Sequence, residues 1–128
     1  MKICLSSTAD NLDGQLDPRF GRCAYLLIVD TDTQQFEAIP NTASAATGGA
    51  GIQAAQTIIN KQAKTVITGN IGPNAFKALS AAGVEVLIEP SEKIRVVLEK
   101  FQSGKLKKTA AATVEGHAGT KQSQEQKA

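Results

Sequence analysis

Residues Thr65–Ile88 read TVITGNIGPNAFKALSAAGVEVLI and contain one complete strand–helix–strand unit. Thr65–Thr68 (TVIT) is short, β-branched and closed by Gly69, as a buried strand requires. Gly72 and Pro73 follow. Proline holds φ near the helical value and lacks an N–H that a first turn leaves unpaired, so Pro73 marks the first helical residue. Phe76, Leu79 and Ala82 then give the buried stripe of a helix that stops at Gly83. Val84–Ile88 returns as a strand. Two strands joined by one crossover helix pair in parallel with right-handed connection.

Working upstream, Asn41–Gly51 (NTASAATGGAG) is small, polar and glycine-rich, and it runs into a helix over Ile52–Gln62. Ile52, Ala55, Ile59 and Ala63 fall on one face of it. Cys23–Asp30 (CAYLLIVD) is an apolar strand and Gln35–Ile39 alternates as another, with Asp30, Asp32 and Thr31–Thr33 offering the turn between them. Met1–Ser7 reads as a central strand covered on both faces, and Thr8–Gly21 as a long polar loop. Downstream, Ser91 is placed to cap a third helix, in which Ile94, Val97, Leu98 and Phe101 form the apolar stripe and Gly104 the stop. The order β-loop-β-β-α-β-α-β-α predicts an α/β fold, a ribonuclease H-like three-layer sandwich with a five-stranded mixed sheet, in preference to a flavodoxin-like one.

A length of 128 residues with 41% hydrophobic content suits one domain. Residues 1–103 carry the periodic pattern, and 104–128 read as a flexible basic and polar tail. Residues 105–128 hold five lysines and two glutamates, whereas residues 1–104 hold nine basic and ten acidic side chains. That near-neutral body argues against nucleic acid as a partner. No stretch approaches the roughly 18 apolar residues of a membrane span, and no signal-like segment follows Met1. A cytoplasmic protein without a membrane partner is expected. Cys4 and Cys23 lie in no CxxC spacing and read as reduced thiols.

Ligands of α/β sheets gather beyond the carboxyl ends of the parallel strands, where three loops of unusual composition should meet. They are Asp17–Cys23, Asn41–Gly51 and Thr68–Asn74. The second and third lead into helix starts, whose unpaired N–H groups favour an anion, with Gly48, Gly49, Gly51, Gly69 and Gly72 allowing close approach beside Asn41 and Asn70. Tight turns alone account for the same glycines. Arg19 and Arg22 suit an oxyanion or sulfide cluster, or else ion pairs with Asp13 or Asp17. Cys23 could offer a thiolate to a soft metal, its pKa lowered by the neighbouring arginine, or serve as a small buried residue, the reading preferred for Cys4. TGGAG lacks the Lys-Ser/Thr ending of a P-loop and the spacing of a dinucleotide fingerprint. His117 stands alone in the tail. Asp10, Asp30, Glu37 and Glu85 do not form the acidic cluster of a two-metal nuclease, and no Ser/His/Asp set can be placed, so catalysis is not expected.

In order, LDPRFGRC (16–23), GGAGIQAAQ (48–56) and TGNIGPNAF (68–76) resemble the dinitrogenase iron-molybdenum cofactor biosynthesis family over about residues 1–103. The resemblance implies a ribonuclease H-like fold and a non-catalytic carrier of molybdenum- or iron-sulfur clusters. In the nitrogenase branch the first motif resembles DGHFGSC, with a histidine implicated in cofactor binding. Asp17, Phe20, Gly21 and Cys23 match it, while Pro18, Arg19 and Arg22 depart, and Arg19 stands at the histidine position. A guanidinium has no free lone pair, so it cannot replace imidazole as a metal ligand. In length and motif order the chain is similar to the short members outside nitrogenase, and that resemblance implies a molybdenum-copper sulfide cluster rather than the iron-molybdenum cofactor. The expected site is Arg19, Phe20, Gly21, Arg22 and Cys23 with the two glycine-rich loops, Cys23 being the one metal ligand. The alternative is an interaction module that docks a partner ATPase or scaffold protein.

Overall fold

The structure is a computed structural model, and it describes residues 1–42, 49–109 and 111–113. The elements are β1 (Lys2–Ser7), β2 (Tyr25–Asp30), β3 (Phe36–Pro40), α1 (Ala50–Asn60), β4 (Thr65–Thr68), α2 (Pro73–Ala81), β5 (Glu85–Ile88), α3 (Ile94–Gln102) and β6 (Lys107–Lys108). One mixed sheet runs in the order β3-β2-β1-β4-β5-β6. β1 pairs antiparallel with β2 and parallel with β4, and β5 continues parallel to β4. The hairpin turn between β2 and β3 forms where its polar residues placed it. Asp30 Oδ1 accepts from the Asp32 N–H at 2.9 Å, and Gln34 takes the positive φ of 67°.

Strand alternation sorts the core into two layers. Cys4, Leu26, Ile28, Val66 and Val86 face α1 and α2, where Ala54, Ala55, Ile58 and Leu79 meet them. Ile3, Leu5, Leu27, Val29 and Ile67 face α3, where Ile94, Val97 and Leu98 close the other side. Helices therefore cover both faces of the sheet. No helix among the described residues is long and apolar enough to cross a membrane.

Four local expectations are corrected. The sheet has six strands, because Lys107–Lys108 adds antiparallel to β5 within the segment expected to lack regular structure. On α1 the buried residues are Ala50, Ala54, Ala55 and Ile58, whereas Ile52 is 40% exposed. The helix meets α2 closely enough that a Cβ at Gly51 would lie 3.2 Å from the Ala75 Cβ, so alanine rather than isoleucine fits this contact. Ser91 does not cap α3: the N-cap is Lys93, without a side-chain bond, and the Ser91 hydroxyl donates to the Leu16 carbonyl at 2.7 Å. Cys23 lies outside β2, which begins at Tyr25.

Candidate functional site

The carboxyl ends of β1 and β4 are tied together first. The Ser6 hydroxyl donates to the Asp17 carbonyl at 2.7 Å and lies 2.8 Å from the Thr68 hydroxyl, and the Asp17 N–H donates to the Ser6 carbonyl at 2.8 Å. All three residues are buried, so these bonds satisfy polar groups that water does not reach. They hold the start of the loop 17–23 over the end of β4.

Within that loop, Asp17 is the organising residue. Its buried Oδ1 accepts from the Arg19 N–H at 2.9 Å, an Asx-type turn two residues long, and from the Arg19 Nε at 3.2 Å. Asp17 Oδ2 accepts from the same guanidinium at 3.3 Å. Of the two ion pairs open to Arg19, the one with Asp17 forms, while Asp13 pairs with Arg95 at 2.7 Å. The Arg19 side chain stays 66% exposed. Arg22 is also exposed, and its N–H donates to the Arg19 carbonyl at 3.3 Å across one turn. Both guanidiniums thus belong to the outward side of the loop.

Phe20 and Cys23 point inward. Phe20 is 8% exposed and packs in the layer of α1 and α2, so it anchors the loop. Cys23 is fully buried, and its thiol is pushed up to about 11, first by burial and then by the Asp17 charge, against N–H bonds from Gly21 and Ser7. The neighbouring arginine does not bring it down, contrary to the sequence expectation, because burial and the Asp17 charge dominate. Cys4 is also buried and its thiol raised, again by burial first. Asn41, itself buried, donates its two amide protons to the Gly21 and Cys23 carbonyls at 3.0 and 2.9 Å, which fixes the loop's far end.

The other walls close on this loop. The Phe20 N–H donates to the Asn70 carbonyl at 3.2 Å, and Arg19 bridges Asn70 in parallel. A Cβ at Gly69 would lie 2.7 Å from Pro18 Cα, and one at Gly21, where φ is 92°, would lie 2.9 Å from Gly51 Cα. Here glycine is needed for backbone to meet backbone. Gly49 and Gly72 differ: among the described residues nothing lies within 4 Å of a Cβ at either. They are the N-caps of α1 and α2, where neither helix has a side-chain cap or an acidic residue in its first turn. Among the described residues neither helix start is thus compensated by a side chain, a feature that favours anions in general.

The structure therefore brings loop 17–23 against Asn41, Gly51, Gly69 and Asn70, with Phe20 and Cys23 turned inward, while Gly49 and Gly72 are the N-caps of the helices that follow. Gly48 and His117 lie outside the described residues. No group of three or more His, Cys, Asp or Glu side chains among the described residues could hold a metal ion. Sequence reasoning missed Asp17 as the organiser, although Asp-Pro-Arg carries the Asx-turn signal, and it missed Thr113, which bonds Ile71 beside Asn70. Nothing local in the sequence marks that second contact.

Residues 1–104 match the family described as dinitrogenase iron-molybdenum cofactor. The chain belongs to that family. It is 36% identical to the orange protein (ORP) of Desulfovibrio gigas, whose apo structure it matches with a TM-score of 0.84 over 88% of this chain and 95% of that one. A putative NifB protein from Thermotoga is 30% identical, with a TM-score of 0.75 over 84% of this chain and 91% of its own. The uncharacterized protein MJ0580 of Methanocaldococcus jannaschii is 32% identical over 112 residues, 84% of this chain and 95% of that protein. The family's fold is thus a mixed α/β sheet with three helices here, and the rim lies within the matched residues.

Proposed function

We propose that the protein is a cytoplasmic, non-catalytic carrier that receives or stores an anionic metal-sulfur cluster on this rim. Arg19 and Arg22 supply charge, the first-turn N–H groups of α1 and α2 supply donors, and Gly49 and Gly72 leave room for the cluster to approach. The observation that carries this reading is the presence of two acid-free helix starts and two outward guanidiniums in a member of a cofactor family. Buried Cys23 supports the loop in the apo protein, and direct ligation by it requires the thiol to lose its proton and the loop to open. A molybdenum-copper sulfide is favoured over the iron-molybdenum cofactor, since Arg19 captures by charge and cannot ligate. The antiparallel β3-β2-β1 unit followed by parallel β4 and β5 supports a ribonuclease H-like ancestry.

Anaerobic reconstitution with tetrathiomolybdate and copper(I) is expected to give sulfide-to-metal charge-transfer bands that co-elute with the protein. Replacing both Arg19 and Arg22 by Gln should weaken binding by about tenfold or more at low salt, with charge-assisted bonds lost at two positions. Absence of co-eluting bands, with amide signals of residues 17–23, 49–53 and 69–75 unmoved, would overturn the reading.

A further inference from the structure

The two edges of the sheet differ in how they meet other chains. β6 presents Lys107 and Lys108, both exposed, and lysine on an outer strand discourages pairing with it. β3, the opposite edge, carries no lysine over Phe36–Pro40. Its one charge, Glu37, is paired with Lys61 of the same chain at 3.0 Å. Phe36 is 41% exposed.

The hydrogen-bond register decides what this edge offers. In an antiparallel pair, residues that exchange backbone bonds alternate with residues that do not. The Asp30 N–H donates to the Gln35 carbonyl at 2.8 Å, and the Asn41 N–H to the Ala24 carbonyl at 2.9 Å. With Ile28 opposite Glu37 and Leu26 opposite Ile39, residues 35, 37, 39 and 41 turn their backbone groups toward β2. Phe36, Ala38 and Pro40 turn theirs outward, where no further strand follows among the described residues. The edge therefore offers N–H donors at Phe36 and Ala38 and carbonyls at all three, since proline has no N–H.

That set is self-complementary. Antiparallel pairing with a second copy about Ala38 lets each Ala38 N–H meet the other Ala38 carbonyl and each Phe36 N–H meet the other Pro40 carbonyl, so every outward donor is used. It sets Phe36 against proline on one face and Glu37 against Ile39 on the other. Pairing about Glu37 would instead set two carboxylates directly opposite, which is unfavourable. We infer that β3 is a self-association edge, through which two copies of the chain join their sheets into one in the register centred on Ala38. The Pro40 ring widens the ladder at each end, and five residues a side bury less than the roughly 1,200 Å² of a stable complex, so the dimer is weak and forms at about 0.1 mM. β3 runs parallel to β1, so its Pro40 end lies toward the rim. The two-fold axis thus places the two rims at opposite ends of the joined sheet and leaves both open.

Sedimentation velocity of the full chain from about 5 μM to about 1 mM, with amide NMR on the same samples, tests the inference. The mean mass should rise toward that of two chains, with the Phe36 and Ala38 amide signals moving with concentration and those of loop 17–23 unmoved. Phe36→Lys places a lysine on the edge and should weaken association about tenfold or more. Ala38→Pro removes an outward donor and should abolish it, whereas Lys107→Thr on the opposite edge should leave it unchanged. Unfolding midpoints at low concentration report whether each variant keeps its fold. Should Ala38→Pro unfold, Phe36→Lys, which changes an exposed side chain, decides. A single-chain mass at every concentration, or association that Phe36→Lys leaves intact, would overturn the inference. A single-chain mass with the Phe36 and Ala38 amides protected from hydrogen exchange would overturn it too, and would mark the edge as covered by the chain itself.

Discussion

Replacing Gly21 by Ala tests whether the rim is held by backbone-to-backbone contact. Gly21 has a φ of 92°, and a Cβ there would sit 2.9 Å from Gly51 Cα, closer than real Cβ atoms come, and 3.0 Å from Gly51 N. Gly83 is the control: its φ is 79°, but nothing lies within 4 Å of an added Cβ. The left-handed conformation costs alanine about 1–2 kcal/mol at either position. A stiffer unfolded chain returns about 0.4–1 kcal/mol at both. At Gly21 alone, the overlap with the first turn of α1 adds about 1–3 kcal/mol, because backbone cannot rotate away as a side chain can. The net loss is about 2–4 kcal/mol for Gly21→Ala and about 0–1.5 kcal/mol for Gly83→Ala. With an unfolding entropy of about 2.1 cal/mol/K per residue over roughly 100 ordered residues, these become falls in Tm of about 10–20 °C and of at most about 7 °C. Thermal unfolding followed by circular dichroism, with reversibility checked, measures both. If the two variants melt within about 3 °C of each other, the contact between Gly21 and Gly51 does not hold the loop and the reasoning fails.

Two further outcomes probe the support beneath the rim. Asn41→Ala leaves the Gly21 and Cys23 carbonyls without their donor in a buried site, so urea denaturation should show a loss of about 2–4 kcal/mol. Asn41→Asp should be worse at neutral pH than at pH 4, since an ionised carboxylate cannot donate to either carbonyl. The Cys23 thiol, normally near 9.0, is raised to about 11 in the folded state. The unfolded chain therefore loses its proton first, so stability is fully present below pH 9 and declines as pH rises toward 11. Cys4, raised by burial, acts in the same direction. Denaturation midpoints across pH 8–11 should fall in the native chain and fall less in Cys23→Ala; a slope equal in the two would count against a protonated, buried Cys23.

The strand–helix–strand unit, the hairpin and the α3 stripe were legible because each combines a clear period with a fitting turn residue, although on α2 the buried residues are Ala75 and Leu79, with Phe76 half-buried and Ala82 the exposed C-cap. Ile94, Val97 and Leu98 are buried as their spacing requires. Where the reading failed, tertiary contact overrode local pattern. On α1 the large side chains suggested a face through Ile52, but close approach to α2 selects the alanines. Ser91 has cap chemistry, yet the Leu16 carbonyl from a distant loop takes its proton. The last strand is two lysines with no apolar residue, and only the open edge of β5 makes them a strand. The meeting of loop 17–23 with Asn41, Gly51 and Asn70 agrees with a rule about sheets, while residues 43–48 of the middle loop lie outside the described residues. The Thr113 clasp on Ile71 was not legible, because it joins residues 42 positions apart through one hydroxyl and three backbone groups.

The loop 17–23 shows how one short segment divides its labour. Asp17, Phe20 and Cys23 recur every third residue and are buried, whereas Pro18, Arg19 and Arg22 are exposed. That three-residue spacing is the period of a tight turn, and the Arg22 N–H bond to the Arg19 carbonyl closes it. Groups that looked like a single reactive cluster in the sequence therefore face opposite ways. The inward set fixes the loop through the Asp17 carboxylate, an aromatic anchor and a protonated thiol. The outward set offers charge without a lone pair. Capture of an anion by such a surface must weaken as salt rises, since exposed charges beyond about 8–10 Å are screened at physiological ionic strength. Ligation by an inward thiolate would be nearly indifferent to salt. The salt dependence of cluster retention thus distinguishes the two sides of the loop: retention that falls clearly with salt is the outcome the cluster-carrier proposal predicts, and retention indifferent to salt would count against capture by the arginines.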